Sequence, residues 1–130
     1  MNRQLISSGS PYEPVMGFSR AVRVGQHVFV AGTAPVMPEG EELPSDAYGQ
    51  TKRCLEIIVA ALREAGAEPE HVVRTRVYIV DPVDWEAVGR AHGEAFANVR
   101  PACSMVEVSR LIAPDILVEI EAEAIVGQQG

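Results

Sequence analysis

The clearest pattern in the chain is an alternation of polar and apolar residues near its C-terminus. Residues 118–125 alternate strictly, and a period of two predicts a β-strand with one polar face. The polar residues of that face are Glu119, Glu121 and Glu123. Residues 102–108 alternate in the same way, which places Cys103, Met105 and Glu107 on one face of a second strand. A row of carboxylates on one strand face needs cations or water beside it, so this region is the first candidate for a functional site.

Four further strands are predicted earlier in the chain, where apolar and β-branched residues are bounded by turn signals. They are residues 3–7, 18–24, 27–31 and 72–80. Gly25-Gln26, between the second and third of these, is a signal for a tight hairpin. Residues 9–14 contain two prolines and a glycine, so they are predicted to form a loop.

Two helices are predicted from apolar residues that recur at helical spacing. The first begins at Ser45 or Asp46, either of which can cap it, and ends near Ala65, with Gly66 as the stop signal. The second follows Asp81, which can serve as its N-cap, because the next residue is a proline and proline is favoured at the first helical position. Its core-facing residues are predicted to be Trp85, Val88, His92 and Phe96.

The order of these elements predicts an α+β fold with two layers. It favours a mixed, mainly antiparallel sheet with both helices on one face. The other face is predicted to carry the three glutamates together with Met105 and Glu107, joined by Arg74, Arg76 and Tyr78 from the middle strand. Arginine and glutamate on neighbouring strands would pair across the sheet. Such a face is either a subunit interface or a solvent-exposed surface, and the pattern favours neither.

Length and composition limit the classes of function. A chain of 130 residues predicts one domain, residues 1–130, with a core large enough to fold without metal or disulfides. The net charge of −7 argues against a nucleic-acid surface, and no apolar run approaches the roughly 20 residues of a membrane span. Cys54 and Cys103 are far apart and have no metal-ligand spacing to the histidines. We therefore expect a reduced, cytoplasmic protein without a bound metal.

Short motifs along most of the chain resemble those of the YjgF/Rid/UK114 family in their order and spacing. The motifs lie at residues 18–25, 28–35, 50–66, 73–81, 101–102 and 118–122. The second is similar to the family's turn, in which an apolar residue precedes x-(Ser/Ala)-Gly-x-x-Pro. The last reads Val-Glu-Ile-Glu-Ala and resembles the family's final strand.

This resemblance implies a chorismate-mutase-like α+β fold and a homotrimer whose sheets form a central barrel, with a small-molecule ligand bound in each cleft between subunits. The best-studied branch of the family hydrolyses reactive enamines and imines to keto acids and ammonia without a cofactor. In that branch an arginine after Pro-Ala holds the substrate carboxylate with two hydrogen bonds. A glutamate on the last strand orders water or moves protons.

Carried onto this chain, the resemblance implies one catalytic residue, Glu119, and a set of substrate-binding positions. Those positions are Phe18, Ala31, Gly32, Gly89 and Cys103. Cys103 stands where the clamping arginine is expected, and a thiol cannot form the two-bond fork. Arg100 lies three residues before Cys103. It is a candidate for supplying the missing cation from a different position.

Further departures from the active branch leave the function open between classes. Phe18, Ala31 and Gly89 stand where a tyrosine, a serine and an asparagine are common. The chain is therefore either a deaminase of enamines or imines, or a trimer that holds a small metabolite without chemistry. RNA cleavage, for which the family is also named L-PSP endoribonuclease, is disfavoured by the net charge of −7.

The same residues also have structural interpretations. Glu119 either transfers protons in a desolvated cleft, where its pKa would rise, or forms a cross-strand ion pair with Arg74 or Arg76. Cys103 is a nucleophile only if a neighbouring cation lowers its pKa, and otherwise lines the pocket. His92 lies on the apolar face of its helix, which favours a core histidine over a ligand.

Overall fold

The computed structural model describes residues 2–127, and the remaining positions of the predicted domain, residue 1 and residues 128–130, lie outside the described residues. Residues 2–127 form six β-strands and three α-helices. The strands are β1 (Arg3–Ile6), β2 (Ala21–Val24), β3 (His27–Thr33), β4 (Val72–Ile79), β5 (Ala102–Glu107) and β6 (Val118–Ile125). The helices are α1 (Tyr12–Met16), α2 (Ala47–Glu64) and α3 (Trp85–Phe96), with short 3₁₀ turns at Pro69–His71 and Pro82–Asp84.

The strands form one sheet in the order β1-β2-β3-β6-β4-β5. All neighbouring pairs are antiparallel except β4 and β5, which run parallel. The predicted mixed, mainly antiparallel sheet is therefore confirmed. The predicted hairpin is also confirmed, because Val24 pairs with His27 and Gly25 has the positive φ of 60° that a tight turn requires.

Helices α2 and α3 cover one face of the sheet, as predicted. The apolar residues of β6 that point towards them are almost fully buried: Val118, Ile120, Ala122 and Ala124. The helices contribute Leu55, Ile58, Leu62, Val88 and Phe96 to the same core. Each large apolar side chain buried here stabilises the fold by roughly 1.5–3 kcal/mol. The core therefore fixes β6 so that its glutamates lie on the opposite face.

The N-terminal region differs from the sequence prediction in two respects. Residues 12–14 of the predicted loop belong to α1, because Pro11 and Pro14 lie at its N-cap and in its first turn, where a missing N–H breaks no helical hydrogen bond. The second strand begins at Ala21 rather than at residue 18, and the third continues to Thr33.

The prediction that Trp85 lies in the core is wrong. Its side chain is 58% exposed, whereas Val88 and Phe96 are buried as predicted. Residues 82–84 form a 3₁₀ turn and the α-helix begins only at Trp85, so the indole lies at the open N-terminal end of α3. His92 is half-buried, and its ring packs against Phe96 with centroids 4.8 Å apart.

The face assigned to Met105 and Glu107 is also wrong. In the parallel pair of β4 and β5, Val77 is in register with Met105, and residues in register point to the same face of a sheet. Val77 is fully buried under the helices, so Met105 and Glu107 lie on the helix side and not beside the glutamates. Strand alternation separates two faces, but it does not say which face the helices cover.

Candidate functional site

Two of the three glutamates on the open face of β6 are paired with residues of β4. Arg76 Nη1 donates to Glu123 Oε1 at 3.0 Å and to Glu121 Oε1 at 3.4 Å. The Tyr78 hydroxyl donates to the same oxygen of Glu121 at 2.9 Å. The predicted cross-strand pairing of arginine and glutamate is therefore confirmed for Arg76. This pairing explains why Glu121 and Glu123 lie on this face.

Glu119 is different from its two neighbours. Within residues 2–127 its carboxylate makes no hydrogen bond or ion pair, although the side chain is half-buried. Burial raises the pKa of Glu119 above its ordinary value, the positive charge of Arg20 opposes that rise, and the negative charge of Glu121 adds to it. A half-buried carboxyl group with a raised pKa and no fixed partner is a candidate for proton transfer.

The Glu119 carboxylate rests on a bulge in β3. Val30 pairs with Ala122 and Thr33 with Ile120, so two residues of β3, Ala31 and Gly32, oppose one residue of β6. A Cβ atom on residue 32 would lie 2.5 Å from Glu119 Oε2. Glycine leaves this space open without moving the carboxylate, and the bulge thus brings the predicted position 32 beside the predicted catalytic residue.

Arg20 completes this side of the site, and sequence reasoning did not single it out. Its guanidinium is buried, at 8% exposure, and Nη1 donates to Gly32 O at 2.6 Å and to Thr33 Oγ1 at 3.1 Å. The guanidinium also lies over the ring of Phe18, 5.4 Å from its centroid. One signal was available in the sequence, since Arg20 is separated from the predicted site residue Phe18 by a single position.

The remaining predicted residues form a second group, away from Glu119. Cys103 is a free, exposed thiol on β5, in register with Thr75 and therefore on the helix side of the sheet. Arg100 is exposed and has a φ of 57°, just before the strand begins. Gly89 is a partly exposed residue of α3. Strand β4 separates β5 from β6, so one chain does not bring Cys103 and Glu119 together.

Within the described residues, neither a cavity nor a metal-binding cluster adds to the Glu119 site. A cavity of about 300 Å³ lies between the end of β1 and α2, and Arg20 is one of its lining residues; another of about 470 Å³ lies between α2 and α3. Neither is lined by Glu119 or Cys103. Residues 2–127 contain no grouping of histidine, cysteine and carboxylate side chains suited to a metal ion. None of their helices is both long and apolar enough to span a membrane.

Comparisons with known proteins agree on one family. A profile of the family described as Endoribonuclease L-PSP matches residues 9–126. A RutC family protein of Pyrococcus abyssi is 41% identical over 125 residues, covering 95% of this chain and 98% of that protein. A Mycobacterium tuberculosis structure described as a member of the YjgF/YER057c/UK114 family is 48% identical, with a TM-score of 0.88, and covers 96% of this chain and 100% of that one. E. coli TdcF with bound serine is 28% identical, with a TM-score of 0.78 and coverages of 93% and 92%.

Proposed function

Because the chain belongs to the Endoribonuclease L-PSP family, which includes the YjgF/YER057c/UK114 and RutC proteins, we propose that it hydrolyses small enamine or imine metabolites to keto compounds. The reaction takes place in a cleft between subunits of a homotrimer, with Glu119 as the proton-transfer group and without a cofactor. Phe18, Ala31 and Gly32 form the wall on the Glu119 side. Cys103 belongs to the wall that a neighbouring subunit contributes.

The observation that carries this proposal is the contrast among the glutamates of β6. Glu121 and Glu123 are held by Arg76, whereas Glu119 has no hydrogen-bond partner in the described structure. Burial also keeps the pKa of Glu119 above its usual range. A general acid or base must be free to exchange its proton and must have a pKa close to the working pH. Glu119 has an unpaired carboxylate and a raised pKa, whereas the carboxylates of Glu121 and Glu123 are engaged by Arg76.

The chemistry that Glu119 would assist is the hydrolysis of a C=N bond. An enamine first becomes an iminium ion: its carbon takes a proton from solvent, and the nitrogen lone pair forms the C=N bond. Water then adds to the carbon of the C=N bond, and Glu119 accepts a proton from the attacking water while the C–O bond forms. Glu119 returns the proton to nitrogen, and the C–N bond breaks as the hydroxyl oxygen forms the C=O bond. The hydroxyl proton passes through Glu119 to solvent, so the products are a carbonyl compound and ammonia. No oxidant, reductant or metal is consumed.

The substrate class follows from what surrounds the site. Bound serine in E. coli TdcF supports a ligand of amino-acid size. Cys103 provides no positive charge for a carboxylate, so the two-bond clamp expected from the family resemblance is absent at this position. We therefore place the substrate among small enamines or imines derived from amino acids or their decarboxylated relatives.

The test is a deamination assay with a matched pair of variants. We would generate 2-aminoacrylate or 2-iminobutanoate in situ and measure keto-acid release above the uncatalysed rate. Glu119→Gln should reduce that acceleration by about 100-fold or more, since general acid–base groups typically contribute 10²–10⁴-fold. Glu123→Gln makes the same change on the same strand face, but its carboxylate is bound by Arg76, so it should keep activity within a few-fold. Equal losses in both variants would contradict a specific role for Glu119.

The exposed Cys103 supports one alternative, a trimer that binds a metabolite without chemistry. If wild type does not accelerate keto-acid release and Cys103→Arg does, the missing cation explains a non-catalytic protein. Thermal shift with small amino acids and keto acids would then show binding, because a ligand of the native state raises the unfolding midpoint. Inactivity of both proteins together with no thermal shift would contradict both functions.

A further inference from the structure

Arg20 occupies an unusual place for an arginine. Of the buried charged side chains in the described structure, Glu13 and Arg20, it is the larger, and it is 8% exposed. Burying a guanidinium is costly unless it is well paired. Its backbone is fixed on both sides, because Arg20 N donates to Ile6 O at 2.8 Å and Ala31 N donates to Arg20 O at 2.9 Å. The chain thus holds this cation at the point where β3 bulges.

The side chain of Arg20 determines the shape of that bulge. Nη1 donates to Gly32 O and to Thr33 Oγ1, and the Thr33 hydroxyl in turn donates to Ala31 O at 2.8 Å. These three bonds fix the carbonyl groups of both bulge residues. The Glu119 carboxylate lies against Gly32, where an added Cβ atom would come within 2.5 Å of Glu119 Oε2. A shift of the bulge would therefore move the surface on which Glu119 rests.

Arg20 also supplies the positive charge near Glu119. Among residues 2–127 it is the one cation that acts on the Glu119 carboxylate, and it lowers the pKa that burial raises. Arg76 of β4 is paired with Glu121 and Glu123, and it is not among the charges that shift the pKa of Glu119. Tyr78 of β4 is in register with Glu119, and Glu121 lies two residues along β6. Cys54 of α2 remains a neutral thiol, because burial and then the charge of Glu119 raise its pKa to about 12.

A second carboxylate, Glu13, balances Arg20 from the side of α1. Glu13 accepts hydrogen bonds from Ser8 N at 3.0 Å and Ser8 Oγ at 2.7 Å. Burial lowers the pKa of Arg20, and the charges of Glu13 and Glu119 both raise it. Glu13 is thus held by Ser8, while Glu119 is held by no hydrogen bond in the described residues. The two carboxylates favour the charged form of Arg20, and the Glu119 carboxylate does so without a hydrogen bond.

We propose that Arg20 is the positioning residue of Glu119: it fixes the β3 bulge on which the Glu119 carboxylate rests and provides the cation that attracts it. The assignment rests on the proposed function only in giving Glu119 a proton-transfer role. Arg20 itself contacts no reacting atom in this scheme. It acts by setting where the carboxylate lies and at what pH it ionises.

The test measures the ionisation of Glu119 directly, without turnover. NMR titration of ¹³C-glutamate-labelled protein would follow the Glu119 carboxyl carbon, assigned with Glu119→Gln. Arg20→Gln should move the Glu119 titration to higher pH, and Arg20→Lys should restore it at least in part because the charge returns. Arg23→Gln is the matched control, since Arg23 lies on β2, donates to Gly25 O and Ala65 O, and does not shift the pKa of Glu119. An unchanged titration in Arg20→Gln, or an equal shift in Arg23→Gln, would overturn the proposal.

A second measurement needs no substitution of Arg20, so loss of folding in Arg20→Gln would not leave the question open. In wild-type protein labelled with ¹⁵N-arginine, the Arg20 side-chain nitrogens should shift with the Glu119 titration, and this step should vanish in Glu119→Gln. Absence of the step in wild type would contradict the coupling. Where an assay of keto-acid release works, its pH profile should move with the NMR titration in each variant. Failure of that assay with the coupling present would reject the proposed function and leave the coupling of Arg20 to Glu119 standing.

Discussion

The glutamates of β6 share one face of the sheet, but their carboxylates have different surroundings. Arg76 forms ion pairs with both Glu121 and Glu123, and these pairs join β4 to β6. Glu119 is half-buried beside Gly32, and the attraction of Arg20 does not fully offset the loss of water. A residue kept in this state lowers the stability of the fold, and such a cost is typical of functional sites.

The raised pKa of Glu119 predicts a pH-dependent stability. A carboxyl group whose folded pKa lies above the ordinary 4.5 binds its proton more tightly in the native state, so stability falls as the pH rises from 4.5 through the folded pKa. Glu119→Gln removes the charge and should have a higher Tm than wild type at pH 8, with the difference shrinking below pH 4.5. Thermal denaturation across this range checks it. A wild type that is the more stable protein at pH 8 would mean that attraction by Arg20 outweighs the loss of water.

A substitution at Gly32 can move the Glu119 carboxylate while leaving the stability of the fold nearly unchanged. Gly32→Ala places a Cβ atom 2.5 Å from Glu119 Oε2, and this flexible carboxylate can move away at little cost. The free energy of unfolding should stay within about 1 kcal/mol of wild type, while displacement of the carboxylate by about 1 Å should reduce deamination by about 100-fold. Gly93→Ala in α3, where nothing lies within 4 Å of the added atom, should leave activity unchanged. Full activity of Gly32→Ala would show that the bulge does not position Glu119.

At the scale of elements, the features that the sequence predicted best are those that neighbouring residues determine. The hairpin at Gly25, the end of α2 at Gly66 and the pairing of Arg76 with glutamates all depend on residues close together or on simple alternation. The side of the sheet on which Met105 lies depends on β5 pairing in parallel with β4, which no local pattern reveals. Arg20 was missed for the same reason, because its partners are in β3, and the site they form needs the bulge.

The N-cap of α2 gives a prediction for one element. The sequence left Ser45 and Asp46 as alternatives, and in the structure the Asp46 side chain accepts a hydrogen bond from Gly49 N at 3.2 Å. Asp46→Ala should lower the free energy of unfolding by about 1 kcal/mol, the usual value of such a cap. Ser45→Ala is the neighbouring control and should change it by less than about 0.5 kcal/mol. Urea denaturation of both variants distinguishes the two residues, and equal effects would mean that the cap contributes nothing.

At the scale of the whole molecule, the two groups of predicted site residues belong to different parts of the sheet. Glu119, Gly32 and Phe18 lie around β3 and β6, whereas Cys103 lies on β5 and on the other face. Strand β5 is at an edge, and the structure describes no strand beyond it. An unpaired edge can pair with another chain. A second copy that docks there would bring its own Glu119 group towards Cys103, which is how the intersubunit cleft expected from the family resemblance would arise.

The assembly can be tested together with the site. We expect a particle of about three times the 14.0 kDa chain mass by light scattering or native mass spectrometry. Val106 of β5 is 46% exposed, and Val106→Asp should dissociate the particle because a carboxylate would be buried in an apolar contact. The matched control is Leu5→Asp, on the opposite edge strand β1, where Leu5 is 62% exposed; this variant should keep the wild-type mass.

Dissociation also decides where the chemistry takes place. If the site needs residues from two chains, monomeric Val106→Asp should lose keto-acid release and ligand-induced thermal shift together, even though its own Glu119, Gly32 and Arg20 are unchanged. Mixing Val106→Asp with Glu119→Gln should restore keto-acid release only if the two variants assemble with each other. A monomer that retains full activity would show that one chain holds the complete site, and the role of Cys103 in the cleft would then be excluded. Dissociation by Leu5→Asp instead would place the interface at the β1 edge, beside Arg20 rather than Cys103.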